Sequence, residues 1–259
     1  MKRVYLPLLV LIVLGLTSEQ APAHFNMLLL DKPSAKIGDE VTVTYQWGHP
    51  FEHQLFDAPK PESVFVYFPD GKKADMSKSL KKTDLPGSEG KRVSAFLLAF
   101  KPEQRGDYVF VLKTPPIWMA EEKEYWQDAV KVVLHVRTQK GWDACAYDAL
   151  EIKPLTRPYG LQAGMAFQAA VHGPDKKGRE GLLVEIERYN AKPPNNLPPD
   201  EQITRTAKTD GNGVVTCTLT DPGWWCIAAA VDGDSKERQG KKYPLRQRVI
   251  HWVFVDEKP

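Results

Sequence analysis

The chain has 259 residues, with 35 basic and 33 acidic side chains and a formal net charge of +2. This length is enough for one large or two ordinary domains, each with its own hydrophobic core. The near-neutral balance of charge argues against a protein that binds nucleic acid electrostatically.

The first 23 residues have the pattern of a secretory signal peptide. Two basic residues precede an apolar run over residues 4–16, and the segment ends in the sequence Ala-Pro-Ala. The run is too short for a membrane-spanning helix, which needs roughly 20 apolar residues. We therefore expect residues 1–23 to be removed and the protein to be periplasmic or secreted and not membrane-spanning. The mature chain would then begin at His24.

Short runs of β-branched, aromatic and apolar residues recur along the mature chain, separated by Pro, Gly, Asp and Asn. This pattern is typical of all-β proteins, and no long helical periodicity competes with it. The runs of the first half are residues 27–30, 41–47, 63–68, 93–100, 107–113 and 130–137. Those of the second half are residues 165–172, 182–189, 202–207, 213–219, 224–231 and 248–255. We predict two immunoglobulin-like β-sandwich domains, over residues 24–147 and 148–259.

The chain has three cysteines, so at least one thiol of an exported protein stays unpaired or pairs with another molecule. Cys217 and Cys226 lie on neighbouring predicted strands and could meet. The alternation of side chains opposes this, because Cys226 faces outward if Cys217 faces inward with Trp225. The pairing among Cys145, Cys217 and Cys226 therefore stays open.

Two histidines follow the predicted strand at 41–47, in the segment WGHPFEH. The glycine and proline of this segment make it a loop on a β scaffold, where ligands are often bound. His49 and His53 are four residues apart and would share a face if the segment takes a helical turn. We regard both imidazoles as candidate metal ligands, with Glu52 as a hydrogen-bond partner that orients one ring.

A mature N-terminal His24 would extend this site. Its α-amine and its ring Nδ1 could bind one metal ion together, as a chelate that no internal histidine can make. The amine has a pKa of about 7.7 to 8.0, so a metal ion can displace its last proton at neutral pH. If the strands at 27–30 and 41–47 are sheet neighbours, His24 lies near His49 and His53. Such a nitrogen-rich set suits Ni(II), Co(II) or Cu(II).

The remaining histidines fit structural roles. His135 shares a strand face with Lys131 and Arg137, so we expect it to face solvent. His172 and His251 lie at positions typical of hydrogen-bonding residues at the edge of a core. The sequence contains no nucleophile elbow, no phosphate-binding glycine loop and no H-E-x-x-H motif, so we predict no enzymatic activity.

Several segments resemble the DUF4198 family in their order along the chain: AHF, GHPFEHQLFDA, SVFVYFPDGK, RGDYVFVL, ALEIKPLTRPYGLQAGMAFQAAV and TDGNGVVTCTLTDPGWWCIAAA. The resemblance covers essentially the whole mature chain. It implies an exported β-rich protein that binds nickel or cobalt and supplies it to a membrane uptake system of the energy-coupling type. His24 and His49 match the implied ligand positions. The C-terminal part also resembles transthyretin-like and carboxypeptidase-regulatory β-sandwiches.

Two other functions stay open. N-terminal histidine copper sites also occur in secreted polysaccharide oxygenases, and nitrogen ligands favour divalent copper in the usual affinity order. A copper-binding carrier or oxidase-like enzyme is therefore one alternative. The other is a cell-surface adhesion or scaffold module without metal, in which Trp118, Tyr125 and Trp126 form a patch for a partner.

Overall fold

The computed structural model describes residues 24–87, 90–146 and 150–257, so the predicted signal peptide lies outside the described residues. Strands make up 56% and helix 3% of the structure, which confirms the predicted all-β class. The helical elements that lie wholly within the described ranges are a 3-10 turn at Ser77–Ser79 and a single-turn helix, α1, at Asp200–Ile203. Neither of these elements is long and apolar enough to cross a membrane.

Eighteen strands follow one another along the described part of the chain. The first nine are β1 (Phe25–Leu30), β2 (Val41–His49), β3 (Gln54–Phe56), β4 (Ser63–Tyr67), β5 (Lys73–Asp75), β6 (Lys81–Pro86), β7 (Arg92–Phe100), β8 (Gly106–Lys113) and β9 (Ile117–Met119). The others are β10 (Glu124–Val136), β11 (Glu151–Pro154), β12 (Leu161–Gln162), β13 (Met165–His172), β14 (Leu183–Arg188), β15 (Arg205–Lys208), β16 (Val214–Leu219), β17 (Gly223–Arg238) and β18 (Lys241–Asp256).

The strands form three sheets. The first has the order β1-β2-β7-β6, with β3 beside β2. The second has ten strands in the order β15-β14-β17-β18-β10-β8-β4-β5, with β9 beside β10 and β12 beside β18. The third has the order β11-β13-β16. Within the described strands, β18 pairs in parallel with β10 and with β12, and the other strand pairs are antiparallel.

The two larger hydrophobic cores of the described residues lie on opposite faces of the ten-stranded sheet. On β18, Ile250 and Trp252 belong to the core beneath the first sheet, whereas Val249 and Val253 belong to the core beneath the third. This alternation follows from the period of two along a strand, which points successive side chains to opposite faces. The protein is therefore a pair of sandwiches that share their central sheet.

The central sheet takes strands from both predicted domains, residues 24–147 and 148–259. Eight consecutive residue pairs join β10 to β18. Trp224, Cys226 and Trp252 come from the second segment but pack in the core of the first. The division into two domains stays a prediction, and in the structure the two segments share one sheet and one core.

Both faces of the central strands are covered by a hydrophobic core, so side chains that alternation predicted to face solvent are packed against other residues. This applies to His135 and Cys226. His135 does not face solvent: its Nδ1 lies 2.7 Å from Asp107 Oδ1, and its ring stacks on Tyr159 with the centroids 4.2 Å apart. Cys226 points away from the second core, as expected, but it enters the first core and is fully buried. Cys217 packs against the second core, and these two described cysteines form no disulfide with each other.

Candidate metal centre

The register of β1 on β2 places His24 beside His49. Phe25 pairs with Gly48 in an antiparallel register, so the residue before Phe25 lies next to the residue after Gly48. This confirms that the strand following His24 and the strand that leads into residues 49–53, here called the histidine loop, are sheet neighbours. The centroids of the two imidazole rings are 4.4 Å apart, with their planes at 60°. The sheet therefore brings two of the three candidate ligands into contact.

Aromatic side chains surround this pair of rings. The centroid of the His24 ring lies 5.7 Å from that of Trp47, 5.4 Å from that of Phe56 and 6.3 Å from that of Trp126. His49 is only 6% exposed and also contacts Phe56. These neighbours keep much of the surrounding water away, and polar interactions between the rings and a ligand are stronger in such a medium.

Each imidazole has one buried nitrogen that makes no hydrogen bond to the described part of the chain. These atoms are His24 Nδ1 and His49 Nε2. The other nitrogen of His49, Nδ1, lies 2.8 Å from Gln54 Oε1. An amide oxygen only accepts hydrogen bonds, so Nδ1 carries the proton and Nε2 has a lone pair. A buried polar atom without a partner is uncommon in native proteins, and these two belong to rings that contact each other, which makes the pair a candidate position for a ligand.

The His24 ring is neutral at physiological pH. Burial lowers its pKa to about 4, with smaller contributions from the neighbouring His49 and from the charge of Arg248. A metal ion needs the neutral form of the ring, and here no ring proton has to be displaced near pH 7. The His24 ring is therefore already in the neutral form that can coordinate a metal ion.

His53, the third candidate, makes other contacts. Its Nδ1 donates a hydrogen bond to the backbone carbonyl oxygen of Asn190, 2.9 Å away, and its ring packs on Tyr189. Within the described ranges, no group of three or more His, Cys, Asp or Glu side chains is placed to hold a metal ion. The three-histidine site stays a prediction, and the contacts of the structure pair His24 with His49 and place His53 against the segment after β14.

The orienting role that we expected of Glu52 falls to Gln54. Glu52 lines a separate acidic cavity together with Glu187. Gln54 lies on β3, directly opposite His49 in the register of β2 and β3, and its amide fixes the His49 ring. The sequence offers one signal for this contact, Pro50 directly after the strand, which begins the turn at residues 50–53 that folds the chain back.

Residues of the second segment hold the histidine loop. Glu187 Oε1 accepts a hydrogen bond from Phe51 N at 3.1 Å, and Asn190 Nδ2 donates one to Phe51 O at 2.6 Å. Asn190 N also donates to Pro50 O at 3.0 Å. Burial raises the pKa of Glu187 to about 8, so this carboxyl group is largely uncharged at neutral pH. The loop is therefore fastened on both sides, by the first sheet and by the central sheet.

The start of β1 is fixed by a buried polar network two residues after His24. Asn26 Nδ2 donates to Asp128 Oδ2 at 2.7 Å, and Tyr45 OH donates to Asn26 Oδ1 at 2.6 Å. Arg248 makes two hydrogen bonds to the same aspartate, at 2.8 and 2.6 Å, and its guanidinium stacks 4.1 Å from the centroid of Trp126. This network limits the movement of β1, and with it the position of the His24 backbone nitrogen.

Residues 21–233 match the sequence profile of a family described as a domain of unknown function, DUF4198. The chain belongs to the DUF4198 family. The match begins just before His24 and includes the histidine loop and β14, so the elements that build the candidate site lie within the family region. No curated protein matches this DUF4198 chain.

Solved structures resemble the DUF4198 protein only distantly. A DUF4785 family protein from Legionella pneumophila is 12% identical, with a TM-score of 0.29, over 82% of this chain and 53% of that protein, so the match spans about half its length. The titin Z1Z2 domains, in complex with telethonin, are 13% identical, with a TM-score of 0.22, over 91% of this chain and 98% of theirs. Trypsin-activated α2-macroglobulin from Escherichia coli is 10% identical, with a TM-score of 0.25, over 91% of this chain and 16% of that protein.

Proposed function

We propose that this DUF4198 protein is an exported carrier that binds one divalent transition-metal ion and supplies nickel or cobalt to a membrane uptake system. In this proposal, signal peptidase cleaves after Ala23 and creates a free amine on His24. The ligands are that amine, His24 Nδ1 and His49 Nε2. The observation that supports the proposal is the pair of adjacent imidazole rings, each with a buried nitrogen that has no hydrogen-bond partner among the described residues.

The chemistry of this donor set fits a nitrogen-loving ion. Leaving a buried donor or acceptor without a partner costs about 1–3 kcal/mol per atom, and an ion bound between the rings would remove that cost for both. Nickel, cobalt and copper prefer imidazole and amine nitrogen, whereas calcium and magnesium prefer oxygen. Because His24 stays neutral down to low pH, the proton that binding displaces at pH 7 comes from the α-amine.

Transfer to a transporter is the part of the proposal that the family resemblance supports. A carrier needs a site that releases its ion, and a site with three protein nitrogens leaves coordination positions through which an acceptor can attack. The outer end of β1 carries His24, so the expected cleavage point lies directly beside the site. Delivery at the outer face of a membrane also requires export, which the N-terminal 23 residues favour.

The test uses two versions of the protein that differ by one residue at the N-terminus. One begins at His24, and the other begins at Ala23, which keeps every side chain of the site but removes the amine from His24. N-terminal sequencing of the exported protein first identifies the natural start. Isothermal titration with nickel, cobalt and copper salts then compares the two versions and His49→Ala.

We expect the chain that begins at His24 to bind one ion. The extra alanine and His49→Ala should each weaken binding about a hundredfold or more, which corresponds to about 2.7 kcal/mol. Equal binding by the two N-terminal versions would show that the amine is not a ligand. If none of the three metals binds, the metal-free adhesion module becomes the better explanation.

The same donor set supports a second candidate, a copper protein. Divalent copper exceeds nickel and cobalt in affinity for nitrogen ligands, and aromatic rings line the site. The copper-loaded protein should therefore be incubated with a reductant and a polysaccharide. Oxidised sugar products would favour the oxidase-like enzyme over the carrier, and their absence together with tight nickel binding would favour the carrier.

A further inference from the structure

A cavity of about 540 Å³ lies beside His24 of the candidate metal centre. His24 and Gln54, the residue that fixes His49, both line it. Its apolar wall consists of Trp47, Leu55, Phe56 and Val93. The proposed function needs only the ion and its protein ligands, so the cavity is a feature that it leaves unexplained.

The volume of the cavity fits a small organic molecule. Pockets for small-molecule ligands have volumes of about 300–1,000 Å³. A water molecule occupies about 30 Å³ in the liquid, so the few waters that complete the coordination of an ion would fill only a small part of this space. The apolar wall also offers such waters few hydrogen-bond partners.

The lining indicates what kind of molecule the cavity accepts. Trp47 and Phe56 face both the His24 ring and the cavity, so an apolar or aromatic group inside would pack on the same side chains that enclose the metal centre. Lys91 and Asp57 complete the lining with one charge of each sign, and Asp57 Oδ1 accepts a hydrogen bond from Ser94 N at 2.7 Å. The apolar wall therefore suits a ligand with an apolar body.

Coordination chemistry connects this cavity to the ion. Three nitrogen atoms from the protein leave one position of a four-coordinate ion open and three positions of a six-coordinate ion. An amino acid can fill two of the three open positions of a six-coordinate ion with its amine and its carboxylate. We infer that the cavity binds an amino-acid-type chelator attached to the ion, so that the cargo of the carrier is a metal chelate with an apolar side chain. This inference rests on the proposed function, because it assigns the form in which the same site takes its ion.

The experiment compares nickel alone with nickel bound to equimolar L-phenylalanine or glycine, using the protein that begins at His24. Both amino acids chelate through the same two groups and differ only in the apolar body. Native mass spectrometry detects the ternary complex, and isothermal titration gives its affinity. We expect the nickel–phenylalanine complex to bind about tenfold more tightly than the nickel–glycine complex, a typical gain for burying a small apolar group.

Val93→Trp places a bulky indole in the cavity without changing a metal ligand, and Thr218→Trp, on an exposed position of β16, is the matched control. We expect Val93→Trp to bind nickel alone within about twofold of the wild type but to lose the preference for phenylalanine over glycine. The control should keep that preference. If Val93→Trp does not fold, Val93→Phe serves instead and should reduce the preference for phenylalanine over glycine.

Three results would overturn the inference. Equal affinity for the two chelates in the wild type would show that the cavity does not contact the amino acid. Release of the amino acid on binding, seen as a protein–nickel mass alone, would show that the cargo is the free ion. Failure to bind nickel alone would instead refute the metal centre itself, so the two proposals fail by different observations.

Discussion

Replacing Gln54 with leucine tests whether the amide orients the metal-binding nitrogen of His49. In the wild type, His49 Nδ1–H donates to Gln54 Oε1 at 2.8 Å in a ring that is 6% exposed. Leucine has a similar size but no acceptor, so the N–H is left unsatisfied or the ring turns. Because Gln54 is half-buried, we expect a loss of about 1 kcal/mol in the free energy of unfolding without metal, the lower end of the cost of an unmade buried hydrogen bond.

The same substitution should weaken nickel binding about 10- to 100-fold, the usual effect of removing a group that orients a metal-binding histidine. Urea unfolding followed by tryptophan fluorescence measures the stability, and isothermal titration measures the affinity. Gln168→Leu is the control, because Gln168 bonds Thr216 Oγ1 at 3.1 Å on an exposed face of β13 and should change both quantities little. Wild-type nickel affinity in Gln54→Leu would refute the orienting role.

Three further predictions follow from the surroundings of the site. Asp128→Ala leaves the buried Arg248 unpaired and should lower the free energy of unfolding by about 3–5 kcal/mol in urea denaturation, whereas a change below about 1 kcal/mol would show that the network is not needed. The pKa of His24 is about 4 in the folded chain and about 6.5 when unfolded, so the unfolded state takes up a proton first as the pH falls. The contribution of the neutral His24 ring to the free energy of unfolding is therefore fully present above pH 6.5 and is lost progressively towards pH 4. His24→Gln should flatten this part of the curve of unfolding free energy against pH. An unchanged slope would contradict the low pKa of His24. Gly48→Ala places a Cβ 2.0 Å from a backbone carbonyl oxygen at a φ of 151°, so it should destabilise the protein by about 2 kcal/mol or more in thermal unfolding. Gly38→Ala, also at positive φ but with open space around it, should cost less.

The sequence was sufficient to predict most strands that contribute to the cores. The runs at residues 41–47, 107–113 and 165–172 lie within β2, β8 and β13, because alternating or continuous apolar residues need a sheet to bury them. The run at residues 202–207 was wrong in its first half, where α1 ends at Ile203 before β15 begins. Short strands such as β3 escaped prediction because three residues carry too little pattern.

Expectations about which side chains face solvent were less accurate, because they assumed sheets covered on one face. His135 and Cys226 lie on strands whose two faces are both covered, so alternation separates one core from the other and not core from solvent. The parallel pairing of β10 with β18 joins residues more than a hundred positions apart, and no local pattern reveals such a contact. Strand alternation is therefore a guide to solvent exposure only for the outer sheets.

The candidate site was predictable in part. The contact of His24 with His49 follows from two strands that are close in sequence and pair antiparallel, a local feature. The spacing of His49 and His53 suggested a shared face through a helical turn, but His53 adopts a φ of 52° and bonds Asn190, far away in the sequence. A contact with a distant segment depends on the tertiary fold, which spacing within a loop does not contain.

The shared central sheet has a consequence for how this protein can be rearranged. A fragment that ends near residue 147 would lose β17 and β18, and Val130 and Val132 on β10 would lose Trp252, their neighbour in the first core. The bare edge of β10 would then be open to pairing with other chains. The two halves are therefore not interchangeable modules, and a gene fusion that replaced either half would expose the interior of the other.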